Sequence, residues 1–269
     1  QKKAEEIEKK GKKEKEPEPP HEHLIFHVHG GGFVAQTSKA HLNYLRVYAK
    51  QLNAPIISVD YTLAPEAQYP TQLLQVCQAY CWALNNAHQL GSTAKRVVVT
   101  GDSAGGNLVL ALTLWAIEHN IRIPDGVVAL YPATLARPVP SPARYMSVMD
   151  PMLGTGILLT CLKCYTNGNY PEYEPYLSPL QASPQTLALF PPCDIVVGEM
   201  DVLLDDSVQF ARRLYKLKKI VRLIVCPGLP HGFLGFSHSL KCCEDATKEV
   251  ILLIQQNLKD PYEEYGYKW

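Results

Sequence analysis

Ser103 stands between two glycines in Gly101-Asp102-Ser103-Ala104-Gly105, after the apolar run Val97-Val98-Val99 and before Leu108-Val109-Leu110-Ala111-Leu112. A serine at such a strand-to-helix junction has the pattern of a nucleophile elbow, a turn too sharp for side chains at its flanks. A hydroxyl held there can attack a carbonyl carbon if three partners exist: a base, an acid that orients the base, and donors for the oxyanion. His29-Gly30-Gly31-Gly32-Phe33 follows the apolar residues 24–28. Three glycines after a strand let backbone N–H groups approach a substrate oxygen. A phosphate cradle is the competing reading, but no lysine with Ser or Thr follows, and no Gly-x-Gly-x-x-Gly spacing occurs.

The chain has nine histidines. His231, in Leu229-Pro230-His231-Gly232-Phe233, falls in a loop just past the apolar run 223–225, on the sheet edge where the elbow also opens. His27 lies within a strand pattern, His88 and His119 near helix ends, and His41 and His238 beside or in helical segments. Asp201 follows the run 195–197 by four residues and precedes His231 by thirty. Asp205 and Asp206 are rivals for the acid, and Asp205 also suits the N-cap of a helix beginning near 207. The order Ser103, Asp201, His231 is that of α/β-hydrolases and differs from both protease orders. His21, His23, His27 and His29 share the parity of one strand face, and a His-x-His pair can ligate metal. No further partner with metal spacing accompanies them, so no metal site is expected.

The elements that must position these groups alternate. Strands are expected at 24–28, 56–59, 97–99, 127–130, 195–197 and 223–225, short aliphatic runs suited to burial on both faces. Helical faces are marked by Leu42, Leu45, Ala49 and Leu52, and by Leu73, Cys77, Tyr80 and Leu84. Further helices are expected at 207–218 and 240–258, and a buried central one runs from Leu108 to Ile117. Alternation of this kind predicts an α/β fold with a mostly parallel central sheet flanked by helices. Residues 132–192 break the rhythm with eleven of the 21 prolines and one helix at about 155–165. Such an excursion from a strand's carboxyl end predicts a cap over the site.

With 269 residues and 46% hydrophobic content, the chain can bury a full core. Net charge is zero, which gives no nucleic-acid footprint. No apolar run reaches the roughly 18 residues of a membrane span. The eight cysteines sit mostly in apolar periodic segments and are read as reduced thiols of a cytosolic protein. Residues 1–20, with seven lysines and six glutamates, predict a flexible leader, with a transient helix over 2–10. The catalytic domain is expected over 21–260 and a tail over 261–269.

The motifs His29-Gly30-Gly31-Gly32-Phe33, Gly101-Asp102-Ser103-Ala104-Gly105-Gly106-Asn107 and Pro230-His231-Gly232-Phe233 resemble the hormone-sensitive lipase family of α/β-hydrolases. Asp60-Tyr61-Thr62-Leu63-Ala64-Pro65-Glu66 is similar to that family's signature after its next strand. Segments such as Gly32-Phe33-Val34-Ala35-Gln36-Thr37-Ser38 and Met149-Asp150-Pro151 bring the likeness nearest to the lipase for which the family is named. The resemblance covers about 24–255. It implies Ser103 as nucleophile, His231 as base and Asp201 as acid. It also implies oxyanion donors at the amides of Gly31, Gly32 and Ala104, with His29, Gly30, Gly101 and Gly105 supporting the motifs. The implied activity is hydrolysis of acylglycerols, sterol esters and other carboxylic esters without cofactor or metal, in the cytosol and at lipid-droplet surfaces.

Three departures stand out. Val202 follows the acid where the family usually has proline. The long phosphorylated insert after Asp150-Pro151 is reduced to a short span, about 165–180, so hormonal control of that kind is not expected. The family also has an N-terminal cap portion and two strands where this chain has its charged leader. Either the sequence is a fragment of a longer protein, or its cap is partial and one sheet edge incomplete; an exposed edge favours association, into oligomers, or instability. Two other functions compete: a non-catalytic ligand receptor on the same scaffold, and a metallohydrolase using the 21–29 histidines. Receptors resembling this family have lost the catalytic histidine, whereas His231 is present.

Overall fold

The β-branched and aliphatic runs form one sheet in the computed structural model, which describes residues 19–259. The leader and tail expected at the two ends lie outside the described residues, Pro19 and Pro20 excepted. The principal elements alternate: β1 (His21–Val28), α1 (Leu42–Leu52), β2 (Ile56–Val59), α2 (Thr71–Asn85), β3 (Ser92–Asp102) and α3 (Ala104–Glu118). Then come β4 (Gly126–Leu130), α4 (Thr155–Thr166), β5 (Cys193–Gly198), α5 (Leu204–Lys216), β6 (Val221–Cys226) and α6 (Lys241–Leu258). The sheet has six strands in the order β2-β1-β3-β4-β5-β6, and every neighbouring pair is parallel. The α/β architecture expected from the alternation is the one observed.

Both faces of the sheet are covered, which is why its strands read as continuous apolar runs. Leu24, Phe26, Val97, Val99, Val127 and Ile195 pack with α2, α3 and α5 on one side. Ile25, Val98, Val128 and Val196 pack with Tyr44 and Leu45 of α1 and Val250 and Ile254 of α6 on the other. α3 is buried almost all round, from Ala104 to Ile117, and forms the central helix. β3 outruns its apolar core at both ends because it pairs with β1 over most of its length, His21↔Ser92 to Val28↔Gly101.

α5 begins earlier than expected, at Leu204, and Asp205 does not cap it. The N-cap position is Leu203 and makes no side-chain cap. Asp205 instead lies in the first turn, where the helix dipole favours an acid, and its carboxylate accepts the N–H of Ala143 at 2.7 Å. Asp206 beside it forms a buried ion pair with Arg144 at 2.6 Å. Burial, only partly offset by the Arg144 guanidinium, pushes Asp206 up to about 6. Both acids thus hold the 132–192 excursion against the sheet domain. Within that excursion lie α4 and the single-turn helices Pro142–Tyr145 and Pro184–Leu187, each short one capped by a serine, Ser141 or Ser183.

The start of α3 rests directly on the end of β1. A Cβ on Gly105 would collide with the Val28 and His29 carbonyls. Gly105→Ala is therefore expected to lower unfolding stability by about 1–3 kcal/mol. Gly156→Ala, at an open position of α4, should not destabilise, since alanine is the better helix former. Urea denaturation midpoints check both.

Candidate functional site

Ser103 occupies the turn between β3 and α3 with φ 56° and ψ −115°, a backbone conformation that non-glycine residues rarely adopt. Its N–H donates to the Leu130 carbonyl at 2.9 Å, which ties the strained residue to β4. A side chain at Gly101 would strike the Gly105 backbone and the Val28 carbonyl, and one at Gly105 the Val28 and His29 carbonyls, so both elbow glycines are required by contact. The turn lifts the Ser103 hydroxyl to the carboxyl edge of the sheet.

Two further carboxyl-edge loops meet it there. His231, past β6, accepts the Ser103 hydroxyl on Nε2 at 2.8 Å. Its Nδ1 donates to Asp201 Oδ2 at 2.7 Å. The other Asp201 oxygen accepts the Leu203 N–H at 2.8 Å, and the residue is only 1% exposed. Asp201 therefore fixes the imidazole tautomer and leaves Nε2 free to take a proton. Burial opposes the charged imidazole, but the Asp201 carboxylate outweighs it and His231 lies above its ordinary pKa of 6.5. Asp205 and Asp206, the rival acids, point to the excursion and do not reach His231.

The glycine loop arches over Ser103. Gly31 and Gly32 have φ of 107° and 62°, which a side chain would strain, and the Gly31 carbonyl accepts from Val34 and Ala35 to close the turn. The N–H groups of Gly31, Gly32 and Ala104 have no hydrogen-bond acceptor among the described residues. All three residues line a cavity of about 590 Å³ together with Ser103 and His231. That size suits a small organic ligand. The apolar wall opposite comes from the excursion: Met152, Leu153, Ile157, Leu158, Cys161 and Leu162. α4 touches the glycine loop itself, for a Cβ at Gly32 would meet Cys161, and Phe33 stacks on Tyr165 at 3.7 Å between ring centroids. Such an arrangement can hold a carbonyl carbon near Ser103 with its oxygen among three free donors.

The histidines of residues 21–29 meet different partners. His21 and His23 lie edge to face at 5.2 Å between ring centroids. His27 binds Ser58 Oγ and the Tyr44 hydroxyl, while His29 stacks on Tyr61 and contacts the Gly30 carbonyl. Among the described residues, no group of three or more His, Cys, Asp or Glu is arranged to hold a metal ion. All eight cysteines are free.

Three residues were not assigned roles by sequence reasoning. Asp150, in the excursion, accepts the His231 N–H at 3.0 Å and those of Met152 and Leu153 at 2.8 and 3.1 Å. It joins the base loop to the cavity wall. Only its place in Met149-Asp150-Pro151 marks it, and that gives no hint of a partner 81 residues away. Asp102, the residue before Ser103, forms a second buried carboxylate–imidazole pair with His41. The His231 imidazole is expected to titrate above 6.5, and Asp201→Asn should lower that value; histidine side-chain NMR across pH checks both. Asp150→Ala removes an acceptor from three N–H groups and should cost roughly 1–3 kcal/mol of stability, read by urea denaturation.

A family model described as the alpha/beta hydrolase fold matches residues 25–235. Hormone-sensitive lipase of Homo sapiens is 49% identical over 150 residues, 56% of this chain and 14% of that lipase. The ethyl acetate hydrolase of Pseudomonas putida is 30% identical over 243 residues, 87% of this chain and 73% of that protein. Carboxyl esterase 2 of Tuber melanosporum superposes with a TM-score of 0.85 at 28% identity, covering 91% of this chain and 80% of that one. The chain spans only 14% to 20% of the hormone-sensitive lipases it matches. Likeness to them is higher but shorter, and likeness to esterases runs along nearly the whole chain. It therefore reaches the family and not the single lipase to which the motifs lie nearest. The family model spans more than three quarters of the sequence, so the chain belongs to the α/β-hydrolase fold family.

Proposed function

We propose that this chain is a serine carboxylic ester hydrolase, with Ser103 as nucleophile, His231 as general base and Asp201 as its orienting acid. The observation that carries this reading is the unbroken line from Ser103 Oγ through the two His231 ring nitrogens to Asp201 Oδ2. Its Ser103 end shares a cavity with Gly31, Gly32 and Ala104, whose N–H groups are unclaimed. The names of the relatives, an ethyl acetate hydrolase, lipases and esterases, support the same chemistry.

Ser103 Oγ attacks the ester carbonyl as His231 Nε2 takes its proton. Negative charge moves to the former carbonyl oxygen, and the N–H groups of Gly31, Gly32 and Ala104 stabilise it; one such donor is typically worth about 10²–10³ in rate. The tetrahedral adduct collapses, His231 returns the proton to the leaving alcohol, and an acyl-serine remains. Water then attacks that ester with His231 again as base, releasing the acid and free Ser103. The residues 132–192 serve as a cap whose apolar wall receives the acyl group.

Substrates are carboxylic esters, with acylglycerols and sterol esters as the lipase-like extension. No helix among the described residues is long and apolar enough to cross a membrane. A cytosolic enzyme meeting lipid droplets goes with the lipase reading, and a small-ester esterase with the cavity volume. Hydrolysis rates across acyl chain lengths, with and without an emulsion, separate the two. The competing receptor reading is disfavoured by the seated His231.

Ser103→Ala is expected to abolish hydrolysis of p-nitrophenyl butyrate with circular dichroism unchanged; equal activity overturns the proposal. Because His231 must be neutral to act as base and lies above its ordinary value, kcat/KM should fall with decreasing pH with a midpoint above 6.5.

A further inference from the structure

The mechanism above leaves unused a second carboxylate–imidazole pair, one that adjoins Ser103 in the chain. Asp102, the residue before the nucleophile, is 7% exposed. Its Oδ1 accepts the Gly30 N–H at 3.1 Å and the Tyr44 hydroxyl at 2.9 Å. Its Oδ2 lies 3.2 Å from His41 Nε2. The other His41 nitrogen, Nδ1, faces the Thr37 carbonyl at 2.9 Å. A carbonyl and a carboxylate are both acceptors, so His41 satisfies both only with a proton on each nitrogen.

His27 next to it has the opposite requirement. The Tyr44 proton is spent on Asp102, so His27 Nε2 donates to that hydroxyl at 3.1 Å, while Nδ1 accepts from Ser58 Oγ at 2.7 Å. A neutral ring meets both. The cluster therefore holds one carboxylate and one imidazolium. The groups facing His41 are Asp102 at the end of β3, Asp60 after β2, His27 and His29 of β1, and Tyr44 of α1. Burial pushes His41 down, but Asp102 more than compensates and holds it above its ordinary value. Burial holds His27 and His29 below theirs.

The position of the carboxylate gives the pair its consequence. Asp102 precedes the nucleophile by one residue, and Gly30 precedes the first oxyanion donor by one residue. A Cβ on Gly30 would collide with the carboxylate, so the glycine is required for this approach. We propose that Asp102 and His41 are positioning residues for ester hydrolysis. Asp102 anchors Gly30 so that the Gly31 and Gly32 amides face the forming oxyanion. The His41 imidazolium neutralises Asp102, so that a fixed buried anion does not oppose the negative charge developing on substrate.

The proposal rests on the hydrolase reading, and its tests separate the two. His41→Gln leaves the carboxylate unbalanced and is expected to lower kcat about 10–100-fold with KM unchanged, the signature of an effect confined to the transition state. Asp102→Asn combined with His41→Gln removes both charges and should be faster than His41→Gln alone. A double variant no faster than the single one, or a single variant with wild-type kcat, overturns the proposal. The second readout needs no turnover. Histidine side-chain NMR of the wild-type chain should show His41 protonated on both nitrogens at pH 7 and neutral there in Asp102→Asn. A neutral wild-type His41 overturns the pair even if the enzyme is active. Failure of Ser103 to react with a fluorophosphonate probe, with His41 doubly protonated, would instead fail the hydrolase reading.

Discussion

The site depends on one close approach, that of the end of β1 to the elbow between β3 and α3. Val28 and Gly101 are register partners in neighbouring parallel strands, so both chains leave the sheet at the same level. Their glycines then let backbone pack on backbone, with Gly101 and Gly105 against the Val28 carbonyl and Gly30 against the Asp102 carboxylate. From that shared edge the glycine loop and Ser103 come to line one cavity. The one side chain that ties the two together, Asp102, sits at the turn itself and binds the Gly30 N–H. Close packing at a strand terminus supplies the preorganisation that side-chain flexibility would otherwise erode.

β5 and β6 extend the same logic. Their carboxyl ends carry Asp201 and His231, and Gly198 allows the Leu229 carbonyl to lie against β5 without a side chain between them. The excursion is then fastened from below and from the side. Arg144 binds Asp206 and several excursion carbonyls, Asp205 accepts from Ala143, and Asp150 binds the His231 backbone. These are mostly charged groups meeting backbone, a choice suited to a segment with many prolines and few ladder bonds of its own. An unpaired carboxylate left behind after losing one of these contacts would be costly in such surroundings.

The strands, the central helix and the chain order of Ser103, Asp201 and His231 were legible because each is a local pattern. An apolar run means a buried strand, and a glycine-flanked serine after one means an elbow. The start of α5 and the role of Asp205 were not legible, since an acid near a helix start suits both an N-cap and a first-turn position. What decided it was Ala143, 62 residues away. His41 likewise read as a residue beside a helix, and its neighbour Asp102 as part of a motif. Their pairing joins a loop after β1 to the end of β3, a contact that only the folded sheet brings about. Period-two spacing over 21–29 suggested a shared histidine face; His21 does meet His23, and His27 and His29 both face His41, but no group of three or more potential metal ligands forms among the described residues.

The contact of Cys161 with Gly32 and of Tyr165 with Phe33 has a consequence for how such a protein can diversify. On the proposed mechanism, the helix that forms the apolar wall is also the back support of the loop that would hold the developing charge. Enlarging the pocket from this side would then disturb the glycine loop at the same time, and so link substrate range to turnover through α4. The same wall continues at Met152 and Leu153, which a Cβ at Gly31 or Gly32 would not meet, so replacements there would reshape the pocket without pressing on the glycine loop.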